Sequence, residues 1–197
     1  MLQSKIFGLG LPRTGTTSLA KALNVMNVAT KHFPFELYQN LNSQILDEYI
    51  GFVDSPIPLI WKELDQRFPN AKFILTIRTL DRWLESMEWL FSHGKVKWNW
   101  SKEVHEYHKV FFGTERFNET LLSKKYHEYQ EDIFKSFENR PQDLLILNLE
   151  LEQNEGFHKL ATFLNLSSPD LEFPHIKKRT KTFLPKRIYY EIKQFIK

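Results

Sequence analysis

Cysteine is absent from the 197 residues. Disulfides, zinc–thiolate sites, iron–sulfur clusters and cysteine nucleophiles are thereby excluded. No apolar run reaches the roughly 18 to 20 residues that a membrane span needs. The opening segment, Met1 to Gly10, has too short an apolar stretch for a secretory signal, so a cytoplasmic location is expected. Low-complexity tracts, internal repeats and linker-like stretches are also missing, and one domain spanning residues 1–197 is expected. His105 and His108 have the spacing of a metal pair, but no Glu or third ligand follows at a known interval. No metal is expected.

What is present is an ordinary globular composition with an uneven charge. The net charge is only +3, yet from His175 to Lys197 eight basic residues face Glu191 alone. Such a segment could hold a small polyanion, nucleic acid or an anionic membrane, but on composition alone a solvated basic helix is the preferred reading. Aromatic and basic residues do not interleave there, so nucleic acid is not the expected partner.

Short apolar runs alternate with amphipathic segments. Lys5–Leu9, Val28–Lys31, Gly51–Val53, Phe73–Ile77 and Leu144–Leu147 read as strands, with the first and the last expected to be buried. A helix opens near Thr14, with Leu19, Ala20, Ala22 and Leu23 inward. Asp81 is placed to cap a second helix and Asn154 a later one, while Leu122, Tyr126, Tyr129, Ile133 and Phe137 follow the helical period. Apolar strands each followed by a helix predict an α/β fold, a mostly parallel sheet flanked by helices in three layers.

The strongest signal follows the first strand. Gly10-Leu-Pro-Arg-Thr-Gly-Thr-Thr17 joins a strand end to a helix start. Glycine lets the backbone approach a ligand, and the unpaired amides of a helix N-terminus point at its oxygens. The spacing matches a nucleotide-binding P-loop, except that Thr16 stands where a Walker loop carries lysine. The positive charge sits instead at Arg13, inside the loop. An aspartate of Walker-B type is not evident.

Pro12-Arg-Thr-Gly-Thr-Thr17 resembles the Pro-Lys-Ser-Gly-Thr-Thr loop of sulfotransferases that use 3′-phosphoadenosine-5′-phosphosulfate (PAPS). Arg78 at a strand end, with Ser86 eight residues later, resembles that family's pair for the 3′-phosphate. Val53-Asp-Ser-Pro56 stands where cytosolic members have Thr-His-Leu-Pro. Leu144–Leu149 and Phe157–Leu164 resemble the family's late strand and the helix after it. The likeness runs through most of the chain and is nearest to the short, stand-alone members. It implies a P-loop-type fold, PAPS as donor, adenosine 3′,5′-bisphosphate (PAP) as product and no required metal. Donor contacts then fall to Pro12, Arg13, Thr14, Gly15, Thr16, Thr17, Arg78 and Ser86. Lys178 and Arg179 follow if Lys177–Thr180 stands for the late Arg-Lys-Gly loop. Two further departures are Arg13 for the usual lysine and Ser18 for a tryptophan that stacks on adenine.

In sulfuryl transfer Arg13 would stabilise the leaving phosphate, and a base would take the acceptor's proton. Asp54, at the mouth of the expected sheet, is the candidate base, and an aspartate before Ser-Pro is also a plain turn residue. His32 is the alternative base. Nine aromatic residues lie between positions 83 and 117, and Trp98 with Trp100 suggests an acceptor lid within about 88–117. Trp83, Met87 and Leu90 keep helical spacing and read as core. The acceptor, a small molecule or a glycan with a hydroxyl or amine, is not named by these walls. Two other readings stay open: a P-loop kinase or nucleotide phosphotransferase, and a non-catalytic module binding a nucleotide or polyanion.

Overall fold

A computed structural model describes residues 4–150 and 155–174. The expected basic segment 175–197, with Lys178 and Arg179, and the helix cap at Asn154 lie outside the described residues.

The elements in chain order are β1 (Ile6–Gly8), α1 (Thr16–Val25), β2 (Thr30–His32), and the short α2 (Glu36–Gln39) and α3 (Ile45–Glu48). Next come β3 (Gly51–Val53), α4 (Ile57–Arg67), β4 (Lys72–Ile77) and α5 (Leu80–Trp89). A π-helical turn (Leu90–Gly94) runs from α5 into α6 (Lys95–Lys97), and α7 (Lys102–Phe112) and α8 (Glu119–Phe137) follow. A 3-10 turn (Pro141–Asp143) leads to β5 (Leu144–Asn148) and then to α9 (Gly156–Leu164).

The sheet order is β2-β3-β1-β4-β5, and every neighbouring pair is parallel. Alternation along the strands sends side chains to two cores, because successive side chains leave opposite faces. Phe7, Phe52, Phe73 and Leu75 pack with Trp61, Trp83, Tyr129 and Phe137, under α4, α5 and α8. Ile6, Val53, Ile74 and Leu147 pack with Leu19, Leu23, Phe157 and Leu160, under α1 and α9. Three layers result, as expected, and helices cover both faces.

Local details differ from expectation in two places. Leu144–Leu147 is not a buried strand: β5 is an edge, and Ile146 is 41% exposed. Asp81 does not cap α5. Thr79 holds the N-cap position, while Asp81 lies in the first turn, where its charge suits the helix dipole. Trp83, Met87 and Leu90 are buried, as their spacing predicts.

Parallel strands share one direction, so all five C-terminal ends open at the same edge. In α/β sheets ligands bind there, where the connections diverge. The chain leaves β1 toward β2 and β3 on one side, and returns on the other as β4 and β5.

Candidate active site

Each strand end delivers a residue to one cavity of about 600 Å³. β1 feeds the loop 10–15, β2 ends on His32, and Asp54 follows β3. Arg78 follows β4, and Leu149 and Glu150 follow β5. Sequence reasoning placed most of these candidates, and the cavity brings together Pro12 to Thr17, His32, Asp54 and Arg78.

The loop is shaped by two glycines. A Cβ on Gly10 would lie 1.8 Å from the Thr76 hydroxyl oxygen, so only glycine lets the loop lie this close to β4. Gly15, with φ 111°, caps α1 in the left-handed region, and a Cβ there would meet Leu149 at 2.7 Å. Thr14 holds the turn from within. Its hydroxyl donates to the Leu11 carbonyl or meets Thr76 Oγ1, each at 2.7 Å, and its amide donates to Leu11 at 3.1 Å. Thr14's donors are thus spent on the loop. The first amides of α1, from Gly15 onward, have no carbonyl four residues back in the helix.

Arg13 adopts φ 75°, a left-handed conformation that costs an arginine on the order of 1–3 kcal/mol. Its Nε donates to Ser86 Oγ at 2.8 Å, and its guanidinium lies 5.1 Å from the Trp89 ring centre. Ser86 therefore serves Arg13 here, whereas the sequence pairs it with Arg78. Arg78 Nε instead donates to Glu150 at 2.9 Å, and Nη1 reaches the Arg13 carbonyl at 3.4 Å. Arg82 approaches the same Glu150 oxygen at 3.5 Å. Nothing in the sequence signalled Glu150, because its role appears only when β5 pairs with β4.

Asp54, with φ 76°, holds the densest polar cluster. Its Oδ2 accepts from the Thr16 hydroxyl at 2.5 Å and lies 3.0 Å from His32 Nε2, while Oδ1 accepts the Ser55 amide at 2.7 Å. Thr17 Oγ1 is 3.1 Å from the same His32 nitrogen. Burial works to raise the Asp54 pKa, but the His32 contact and the Thr16 and Ser55 donors outweigh it and leave it below the ordinary value. Among the described residues six non-glycines have positive φ, and four of them, Arg13, Phe33, Asp54 and Asn99, line this cavity. Strain concentrated in this way marks a functional site.

The other wall is aromatic. Leu90 from the π-helical turn, Trp98, Trp100, and Val104 and His108 of α7 face the loop across the cavity. The expected lid region therefore lines the site. His108 was read as incidental, yet it is a wall residue, only 4% exposed.

Comparison with known proteins agrees with this geometry. The profile described as "Sulfotransferase domain" matches residues 5–43 and 26–182. The chain belongs to the sulfotransferase family. It is an enzyme of that family, and its fold class is that of its relatives. Ava biosynthesis cluster protein M of Aspergillus versicolor is 25% identical over 211 residues, which cover 87% of this chain and 80% of that protein. The crystal structure of a sulfotransferase from Alicyclobacillus acidocaldarius superimposes with a TM-score of 0.56 at 13% identity, over 99% of this chain and 92% of the other. Mouse sulfotransferase SULT7A1, crystallised with PAP, gives a TM-score of 0.46 at 14% identity, over 85% of this chain and 61% of that one.

Proposed function

We propose that this sulfotransferase uses PAPS as donor and a hydroxyl or amine of a small molecule or glycan as acceptor, without a metal. The observation that carries this reading is the loop: glycine-shaped, ending in helix amides, with Arg13 inside it and Arg78 beside it. These residues suit a donor with phosphate at both ends. The α1 amides and Arg13 face the 5′-phosphosulfate, with Ser86 holding Arg13, while Arg78 serves the 3′-phosphate.

In the transfer the acceptor oxygen attacks sulfur in line. A new S–O bond forms as the S–O bond to the 5′-phosphate breaks, and the bonding pair leaves with PAP. Arg13 and the amides stabilise the charge that gathers on that phosphate. The acceptor's proton goes to Asp54, with His32 as the group that orients the carboxylate. A carboxylate of low pKa suffices, because an attacking hydroxyl becomes a strong acid as its bond to sulfur forms. His32 remains the alternative base, and turnover of Asp54→Asn separates the two.

A P-loop phosphotransferase fits less well. Thr16 fills the lysine position and gives its hydroxyl to Asp54, and Thr17 lies against His32. Calorimetric titration without magnesium tests the reading. PAP should bind, and adenosine 5′-monophosphate, lacking the 3′-phosphate, should bind about ten- to a hundredfold more weakly. Equal affinities for the two, or tighter binding of ATP with magnesium than of PAP, would remove the PAPS assignment.

A further inference from the structure

Behind the wall, where the loop meets the lid, stands a tryptophan that belongs to neither hydrophobic core. α5 sends Trp83, Leu84 and Met87 inward, whereas Trp89 is only half-buried and lies outside both clusters of buried residues. Its neighbours are cations and other rings. The Arg13 guanidinium lies 5.1 Å from its ring centre and Lys97 Nζ 5.9 Å. His93 stacks on it with centres 5.9 Å apart, and Trp98 meets it edge-on at 5.6 Å. A ring of this size gains most from burial, yet here burial is incomplete and a guanidinium lies over the face. Trp89 does not itself line the cavity. It touches a residue on each side that does, Arg13 of the loop and Trp98 of the lid.

Arg13 is a side chain that has to be aimed. It is long and rich in rotamers, and it springs from a left-handed backbone. Two of its contacts come from α5: Ser86 Oγ receives Nε at the edge of the guanidinium, and Trp89 meets the face. Residues three apart share one face of a helix, so Ser86 and Trp89 act as one clamp. A hydrogen bond at the edge alone would let the plane turn about it, and a ring against the face stops that rotation. The lysine usual at this loop position has no plane to set.

Resting on the sulfotransfer reading above, we propose that Trp89 is a positioning residue for the transfer, acting through Arg13. Its ring holds the guanidinium toward the 5′ end of the donor and makes no contact with the donor itself. Through Trp98 the same ring ties the aim of Arg13 to the acceptor wall.

Calorimetry on the full chain tests this with two nucleotides, PAP and adenosine 3′-monophosphate, which lacks the 5′-phosphate. Trp89→Leu should weaken PAP about threefold to thirtyfold, the span of a cation–π contact from exposed to desolvated. Its affinity for adenosine 3′-monophosphate should stay at the wild-type level, because Arg13 has no phosphate to meet there. Trp89→Phe keeps a smaller ring face and should recover part of the loss, and it serves if the leucine variant does not fold. In an Arg13→Ala background either substitution should cost nothing further, since no guanidinium is left to hold. Both nucleotides weakening alike, or an equal cost with and without Arg13, would make Trp89 a plain packing residue and overturn the proposal. PAP affinity unchanged in Trp89→Leu would overturn it as well. These outcomes leave PAPS-dependent transfer standing, whereas a wild type that fails to bind PAP would strike that reading and this one with it.

Discussion

The strand ends and the helical lid face each other across one cavity, yet they are built by opposite means. At the strand ends the polar side chains are bonded to one another. Asp54 alone is touched by Thr16, His32 and the Ser55 amide, and Arg13 and Arg78 are held by Ser86 and Glu150. Across from them the lid lines the cavity with Leu90, Trp98, Trp100 and Val104 and with the buried His108. Preorganised polar groups are what charge development needs, because they need no rearrangement as the charge appears. An apolar chamber needs only shape and one well-placed polar contact. On the proposed reading, the chemistry belongs to the strand ends and the choice of acceptor to the lid.

The sharpest way to break that division is to change one atom at the strand end. Asp54→Asn keeps the shape but cannot take a proton, and it should cut kcat by about a hundredfold to ten-thousandfold with PAP affinity nearly intact. A pH profile of the wild type sharpens the assignment. With the Asp54 pKa held below its ordinary 3.8, a rate limited by Asp54 keeps its plateau into the acid range. A plateau lost well above that value would remove the base role from Asp54. The same carboxylate links to stability. Its contribution is full above pH 3.8 and is lost as pH falls through the lower folded-state value, so Asp54→Asn should flatten the acid side of a melting-temperature profile.

Arg13→Ala should come next, lowering kcat by about a hundredfold to a thousandfold. PAP binding should suffer less, since the α1 amides remain. Arg13→Lys should keep much of the activity but lose part of the contact to Ser86, because lysine has no Nε–H fork and stacks less well on Trp89. Turnover unchanged in Arg13→Ala would place charge stabilisation elsewhere.

The two halves also differed in how far the amino-acid order revealed them. Arg13, His32, Asp54 and Arg78 were legible because each lies on a strand end or on the loop just beyond one, so finding the strand located the side chain. Fold class followed from the same alternation of apolar runs and helical periods. Partnerships were not legible. Ser86 reaches Arg13 across 73 positions and Glu150 reaches Arg78 across 72, and no local pattern encodes contacts at that range. β5 read as buried because Leu144–Leu147 is apolar throughout, but its place at the sheet edge depends on which strands pair. His108 was passed over since a lone histidine among aromatics has no sequence signature. Its burial and its unpaired nitrogen emerge only from the packing of α7 against the cavity.

Arg78→Ala is expected to act on binding rather than on turnover at saturation. Loss of a charge-assisted contact to the 3′-phosphate should weaken PAP by about 1.5 to 3 kcal/mol while the affinity for adenosine 5′-monophosphate stays nearly constant. Both nucleotides weakening alike would mean that Arg78 braces the loop through the Arg13 carbonyl instead.

The smallest effect expected concerns Glu150, and its sign is the informative part. Its carboxylate is 2.9 Å from Arg78 Nε, the cation assigned to the 3′-phosphate, and it lines the same cavity. A phosphate arriving at Arg78 must therefore displace a carboxylate or share the guanidinium with it, and sharing sets like charges side by side. Arg82, 3.5 Å from the same oxygen and more exposed, offers the displaced carboxylate a second cation. Glu150 on this account weakens nucleotide binding, and Glu150→Gln should tighten PAP by about threefold to tenfold, the magnitude of a partly screened ion pair. Raising the salt concentration should shrink the gain. Arg82→Ala should weaken PAP when Glu150 is present, since the carboxylate then has Arg78 alone, and should do little in the Glu150→Gln background. A Glu150→Gln protein that binds PAP more weakly than wild type would make the glutamate a ligand-positioning group, and the strand end would then recognise its donor with an acid as well as with arginines.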